Sequence, residues 1–361
     1  MKSMVVRRPL HRSPAGFWLL RLGPWTQLVS RRSFVAGALL LLLLACACLV
    51  SLTFGGSRPI PVKDALLVLA GQGDAVSRLL INTLRMPRIL AAVLTGAALG
   101  AALGAAGCLM QTLARNRLAT PGIVGLDNGA TAFAVASILA TSTSLLPSML
   151  ALSGAATAAV LTFALASGSG SRGYRFIVTG IGVGAMFSAL TNLMLSQAPI
   201  DAANRAYPWT VGSLNGTSVV AIRALAAGLF FGLPWACLLG RQLAAMGFSE
   251  RVSISLGVRL GALRMTTLAA TVWLTALGVA VAGPVGLVAL IAPEIARYLA
   301  RQGGVPVLNS AWSGALLMVV ADWAGRNILS PIEVPVGIVM AIIGGPYLIW
   351  IVLRQPDRRV Q

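Results

Sequence analysis

The stretch RMPRILAAVLTGAALGAALGAAGCLMQTLARNRLATPGIVGLDNGA, Arg85–Ala130, decides the fold. Arg85 and Arg88 bracket Pro87, and no charged residue follows until Arg115. A bilayer core is spanned by about 20 apolar residues in a helix. Gly96, Gly100 and Gly104 recur every four residues. Residues four apart share a helix face, and small side chains there let a second backbone approach closely. The run Asn116–Gly122, NRLATPG, then breaks the helix with proline and glycine. The stretch reads as a membrane-spanning helix packed against other helices.

The rest of the chain repeats this pattern. Of 361 residues, 57% are hydrophobic and 10% charged. A soluble domain carries about 25% charged residues, so too few are present to cover a water-facing surface. That excludes an ordinary soluble enzyme, a disordered chain and a fibrous protein. The expected fold class is an all-α membrane protein, a polytopic bundle of about ten transmembrane helices. Candidate spans are 34–54, 89–109, 123–145, 148–167, 175–195, 218–239, 265–283, 285–300, 307–325 and 332–353. The expected organisation is a basic cytoplasmic tail (1–33), a membrane domain (34–353) and a short cytoplasmic tail (354–361). LLAC at Leu43–Cys46 is similar to a lipoprotein cleavage box. The long basic stretch before it and the apolar run beyond it favour an uncleaved span.

The net charge of +19 raises nucleic acid as a partner. Yet the basic residues lie in short groups between apolar runs, as membrane flanks do, so no nucleic-acid partner is expected. With the N-terminus inside, twenty of the 28 basic residues fall on the inner side and eight on the outer. The positive-inside rule therefore predicts both termini on the cytoplasmic side, with an even number of spans. Trp209, Trp323 and Tyr207 fall at outer boundaries, Trp235, Trp350, Tyr298 and Tyr174 near inner ones, as interfacial aromatics do.

Catalytic constellations are scarce. Cys46, Cys48, Cys108 and Cys237 lie in apolar runs without metal spacing, and the one histidine, His11, sits in the N-terminal tail. No cofactor or metal site is expected. A P-loop needs lysine directly after a glycine-rich run, and the only lysines are Lys2 and Lys63. Any ATP hydrolysis therefore belongs to another chain. GSGSRG at Gly168–Gly173 matches GxGxxG but follows an apolar helix instead of a strand, so a dinucleotide site is not expected. Nearly all nine acidic residues lie in loops or near span ends, with Asp127 the nearest to an intramembrane acid. This counts against an ion-coupled carrier, which buries carboxylates in the membrane, without excluding one. LRMPRILAAVL from Leu84 recurs loosely as LRMTTLAATV from Leu263. An inverted repeat and chance both account for that match.

Arg85–Ala130 resembles the second-span signature of the FecCD-type permeases of ABC importers, which carry iron–siderophores, haem and vitamin B12. YPWTVGSLNG (Tyr207–Gly216), GFSERVSISLGV (Gly247–Val258), GPVGLVALIAPEIARYL (Gly283–Leu299) and ADWAGRNILSPIEVPVGIVMAIIGGPYLIWIV (Ala321–Val352) are similar to further signatures of that family, in family order. The resemblance runs from about residue 85 to the end. Arg117 departs from a usual proline and Glu294 from a usual histidine.

The resemblance implies a type II ABC importer permease fold and a transport subunit, not an enzyme. It implies a second permease subunit (identical or a paralogue), two cytoplasmic ATP-binding subunits, an extracytoplasmic substrate-binding protein and a setting in membrane lipid. Arg85, Arg88 and Arg326 match outer positions that receive carboxylates of the binding protein. The inner loop 241–264, with Glu250 and Arg251 opening a short amphipathic stretch and Gly257 stopping it, matches the ATPase-coupling segment. Asn116 and Leu118 match one gate of the path, Gly173 and Tyr174 a second. The expected cargo is an iron–siderophore, with haem and vitamin B12 left open. A secondary carrier working without an ATPase is the rival reading.

Overall fold

The structure, a computed structural model, describes residues 16–22, 25–53, 67, 86–140, 147–166, 174–215, 217, 219–247, 250–300, 304–329 and 332–354. An antiparallel hairpin, β1 (Phe17–Leu22) and β2 (Trp25–Ser30), leads into α1 (Arg31–Thr53). Then come α2 (Met86–Ala114), a 3-10 turn (Pro121–Val124), α3 (Leu126–Leu139), α4 (Pro147–Ala166) and α5 (Tyr174–Gln197). Two short helices follow, α6 (Ile200–Ala206) and α7 (Pro208–Val211). The chain continues through α8 (Val219–Ala245), short α9 (Glu250–Ser255), α10 (Leu260–Ala282), α11 (Gly286–Ala300), α12 (Val307–Asn327) and α13 (Val336–Arg354).

Each of the ten expected spans coincides with a helix. Among the described residues seven are long and apolar enough to cross a membrane by themselves: α1, α2, α4, α5, α8, α10 and α12. The expected span 123–145 is cut short, because Pro121 opens a 3-10 turn and Gly125 takes a left-handed φ of 79° before α3 begins. The span expected from 332 starts at Val336, behind Pro335. Short helices fit a membrane protein where neighbours enclose their ends. The hairpin is a finding that the tail reading of 1–33 did not contain. Two runs rich in aromatic and branched residues flank Gly23–Pro24, which is hairpin chemistry. Trp18 meets Phe34 edge to face at 5.1 Å, and Arg31 stands over the Trp18 ring.

Lipid is as apolar as leucine, so burial of apolar surface does not hold such helices together; close packing does. The glycine face of α2 is where this is achieved. A Cβ on Gly100 would fall onto the Gly314 carbonyl of α12, and one on Gly104 onto the Ser310 carbonyl. The backbones of α2 and α12 therefore touch, and α2 lies buried along most of its length while α1 lies at the periphery. Leu99 and Leu103 of α2 pack over Gly278 of α10, and Leu274 of α10 packs over Gly232 of α8. Leu225, Leu243, Leu274 and Met318 complete this core. A second layer pairs α3 with α4 at Gly129 and Gly154, whose backbones also meet.

Candidate functional site

The two ends of the bundle are built differently. One end gathers the start of α1, the end of α2, the turn before α9, the end of α11 and the start of α12. The other gathers the ends of α1, α10 and α12 with α7 and the start of α13.

At the first end, α2 finishes at Ala114 and the chain turns through Arg115–Thr120. Arg115 has φ 51°, a left-handed conformation that costs an L-residue with a Cβ about 1–2 kcal/mol. Its guanidinium Nη2 donates to the Met246 carbonyl at 2.6 Å, just beyond α8. Asn116 closes the turn: its Oδ1 accepts from the Leu118 N–H at 2.9 Å. This is local side-chain capping of the kind that favours asparagine in turns. Leu118 is left exposed.

Beside this loop, Pro293 interrupts α11. Proline has no N–H, so the Ala289 carbonyl four residues earlier loses its helical partner. Gly107 of α2 packs directly on that carbonyl. One residue on, the Leu290 carbonyl accepts from Gln111 Nε2 at 3.1 Å. The Gln111 Oε1 accepts from Arg297, and Arg297 holds Glu294 at 2.9 Å. Arg117 reaches the other Glu294 oxygen at 3.7 Å. Arg117 and Glu294, the two residues expected to depart from the family pattern, thus meet in one contact. The Glu294 side chain is 13% exposed and that of Arg117 65%, so the Arg297 bond is the enclosed one. Charged hydrogen bonds of that kind contribute about 1.5–3 kcal/mol, whereas an exposed pair such as Arg117–Glu294 contributes about 0–1 kcal/mol.

Helix α9 hangs from the same end. Ser253, fully buried, donates through Oγ to the Ala245 carbonyl at 2.9 Å. Gly257, at φ 84°, ends the helix, and the Val258 N–H returns to the Ser253 carbonyl at 3.1 Å. The expected stop is therefore present, with the left-handed turn that glycine accepts without strain. Val252, Ile254 and Leu256 face outward at 44%, 60% and 62% exposure, and Arg251 is exposed as well. Glu250 opens the helix.

The second end is tied through main chain. Ser213 donates its N–H to the Ala282 carbonyl at 2.7 Å, Gly337 to the Gly212 carbonyl at 3.0 Å and Val334 to the Gly325 carbonyl at 2.9 Å. Asn215 adds a bond to Glu333. Arg326, on the last turn of α12, is turned inward: it donates to Asp322 and, at 2.9 Å, to Ser51 Oγ of α1. Arg88 lies on the first turn of α2.

The structure brings Asn116 and Leu118 to the same end as α9. Tyr174 begins α5, which packs at Gly180 onto the Ile123 carbonyl just beyond the Asn116–Leu118 loop. Arg85, Gly173 and the rest of GSGSRG lie outside the described residues, as do 1–15 and 355–361. Sequence reasoning passed over Gln111, Arg115 and Arg297. An amide within an otherwise apolar helix, as at Gln111, was the available signal.

The chain matches the FecCD transport family over residues 40–354. It is 35% identical over 321 residues to the achromobactin transport system permease protein CbrC of Dickeya dadantii (strain 3937), covering 88% of this chain and 90% of that one. It is 31% identical over 335 residues to the ferric enterobactin transport system permease protein FepG of Escherichia coli (strain K12), covering 92% and 99%. Its fold is similar to a solved inward-facing conformation of a transporter described as of the metal-chelate ABC type. The TM-score is 0.75 at 22% identity, over 89% of this chain and 99% of that one. The signatures, the helix bundle and these relatives agree: this chain belongs to the FecCD transport family.

Proposed function

We propose that the chain is the permease subunit of an ATP-driven importer and forms, with a second permease subunit, the path for an iron–siderophore complex. The observation that carries this is α9, a six-residue helix that turns Val252, Ile254 and Leu256 away from the bundle while Ser253 anchors it. A segment too short to enter a membrane that leaves three large apolar side chains exposed fits the groove of a protein partner. That partner is a cytoplasmic ATPase, engaged through Glu250, Arg251 and the turn at Gly257. Asn116 and Leu118 narrow the path beside it, with Gly173 and Tyr174 as a second constriction. The end bearing α9 is then cytoplasmic, residues 34–353 form the membrane domain, and the tails 1–33 and 354–361 are cytoplasmic.

At the opposite end, where α2 begins, Arg88 and, by its neighbouring place in the sequence, Arg85 receive carboxylates of an extracytoplasmic binding protein, since arginine forks orient such contacts. Arg326, expected as a docking residue with them, has its guanidinium on Asp322 and Ser51, and it supports that surface by holding α12 to α1. Cargo selection rests mainly with the binding protein. Relatives named for achromobactin and ferric enterobactin support an iron–siderophore as cargo. The test is reconstitution of the permease in vesicles with its companion ATPase and binding protein, following radioactive ferric siderophore. Uptake that requires ATP and both companions is expected. Sustained accumulation by the permease alone would refute the reading in favour of a secondary carrier.

A further inference from the structure

We propose that Arg115 is the positioning residue through which α9 sets the Asn116–Leu118 loop, an inference that rests on the coupling and gate roles proposed above. Arg115 is the one non-glycine residue with positive φ among the described residues. Glycine or asparagine ordinarily ends a helix in that conformation. A backbone held in a sparsely populated state signals that the side chain is needed where it is.

The side chain spans 131 positions to reach the Met246 carbonyl at 2.6 Å. Met246 is 3% exposed, and its own N–H is bonded to the Leu243 carbonyl, so the anchor is firm. The neighbouring carbonyl, Ala245, carries α9 through Ser253. Movement of α9 therefore acts on the residue adjoining the one that Arg115 grips. On the other side of Asn116, Arg117 ties the same loop to Glu294 of α11. The two tethers are unequal. The Arg115 bond is short and ends on a buried carbonyl, whereas the Arg117 contact is 3.7 Å from a largely exposed side chain. When α9 shifts, the Arg117 contact yields and the loop follows Arg115.

The test uses the whole complex in vesicles and reads cargo moved per ATP hydrolysed. Arg115→Gly accepts the observed φ without strain while removing the whole side chain with its guanidinium, so the turn itself can keep its backbone conformation. Its transport ratio is expected to fall about tenfold, the equivalent of 1.4 kcal/mol. Arg115→Lys retains a donor for the Met246 carbonyl and is expected to recover most of the ratio. An unchanged ratio in Arg115→Gly overturns the proposal. So does a parallel fall of uptake and hydrolysis, which marks a structural role, or a lysine variant no better than glycine. Accumulation by the wild type without ATP would instead overturn the importer reading, and this inference with it.

Discussion

The end that carries Ser213 and Gly337 is joined by main-chain bonds between elements as well as by Asn215–Glu333 and Arg326–Ser51, whereas the links between elements at the end that carries Arg115, Arg117 and Arg297 run through side chains. Main-chain bonds between loops have fixed partners. Arginine contacts on carbonyls and carboxylates exchange partners as helices slide. The contrast predicts a stiffer end and a more mobile one, joined by one continuous core. At Gly212 and Gly337 glycine permits the close backbone approach on which those main-chain bonds depend.

The largest effect is expected from breaking the rigid end. A Cβ on Gly337 would fall onto the Val211 carbonyl. Gly337→Ala should destabilise the protein by about 3 kcal/mol, the upper end of the usual cost of overpacking, because the added carbon meets backbone. Thermal unfolding in detergent checks this, and an unchanged midpoint would remove the distinction. Next comes Arg297→Ala, which strips Glu294 and Gln111 of their shared partner. Loss of a partly enclosed charge partner is expected to cost about 1.5–3 kcal/mol and to depress uptake. Replacing Glu294 by glutamine in that background should restore part of the loss. Reversal of Arg85 and Arg88 to glutamate should weaken pull-down of the binding protein and leave insertion and unfolding temperature intact, placing its effect in docking alone. Arg117→Ala should change stability by only about 0–1 kcal/mol, as for other exposed pairs. A shift as large as that of Arg297→Ala would show that the exposed tether is not the weaker one.

Much of the fold was legible because membrane helices announce themselves by length and apolarity, and because Gly96, Gly100 and Gly104 mark the face that meets α12. The start of α3 was misplaced because Pro121 and Gly125 break the backbone inside an apolar run, where hydropathy is blind. The hairpin was overlooked because the basic charge of the tail dominated its reading, although Gly23–Pro24 between two β-forming runs was visible. Of the site, Asn116, Leu118, Glu250 and Gly257 carried local signatures. Arg115 and Met246 lie far apart in sequence, and nothing local to either announces the other. Arg117 and Glu294 were each visible as departures, but only the fold makes them partners.

Hydrogen–deuterium exchange on the assembled complex, with and without trapped nucleotide, tests the contrast most directly. The amides of Asn116, Ala119 and Val258 should exchange faster and change on nucleotide binding, while those of Ser213, Val334 and Gly337 stay protected in both states. Equal protection at the two ends, or a nucleotide response confined to Ser213, Val334 and Gly337, would contradict the assignment of motion to the arginine-held end.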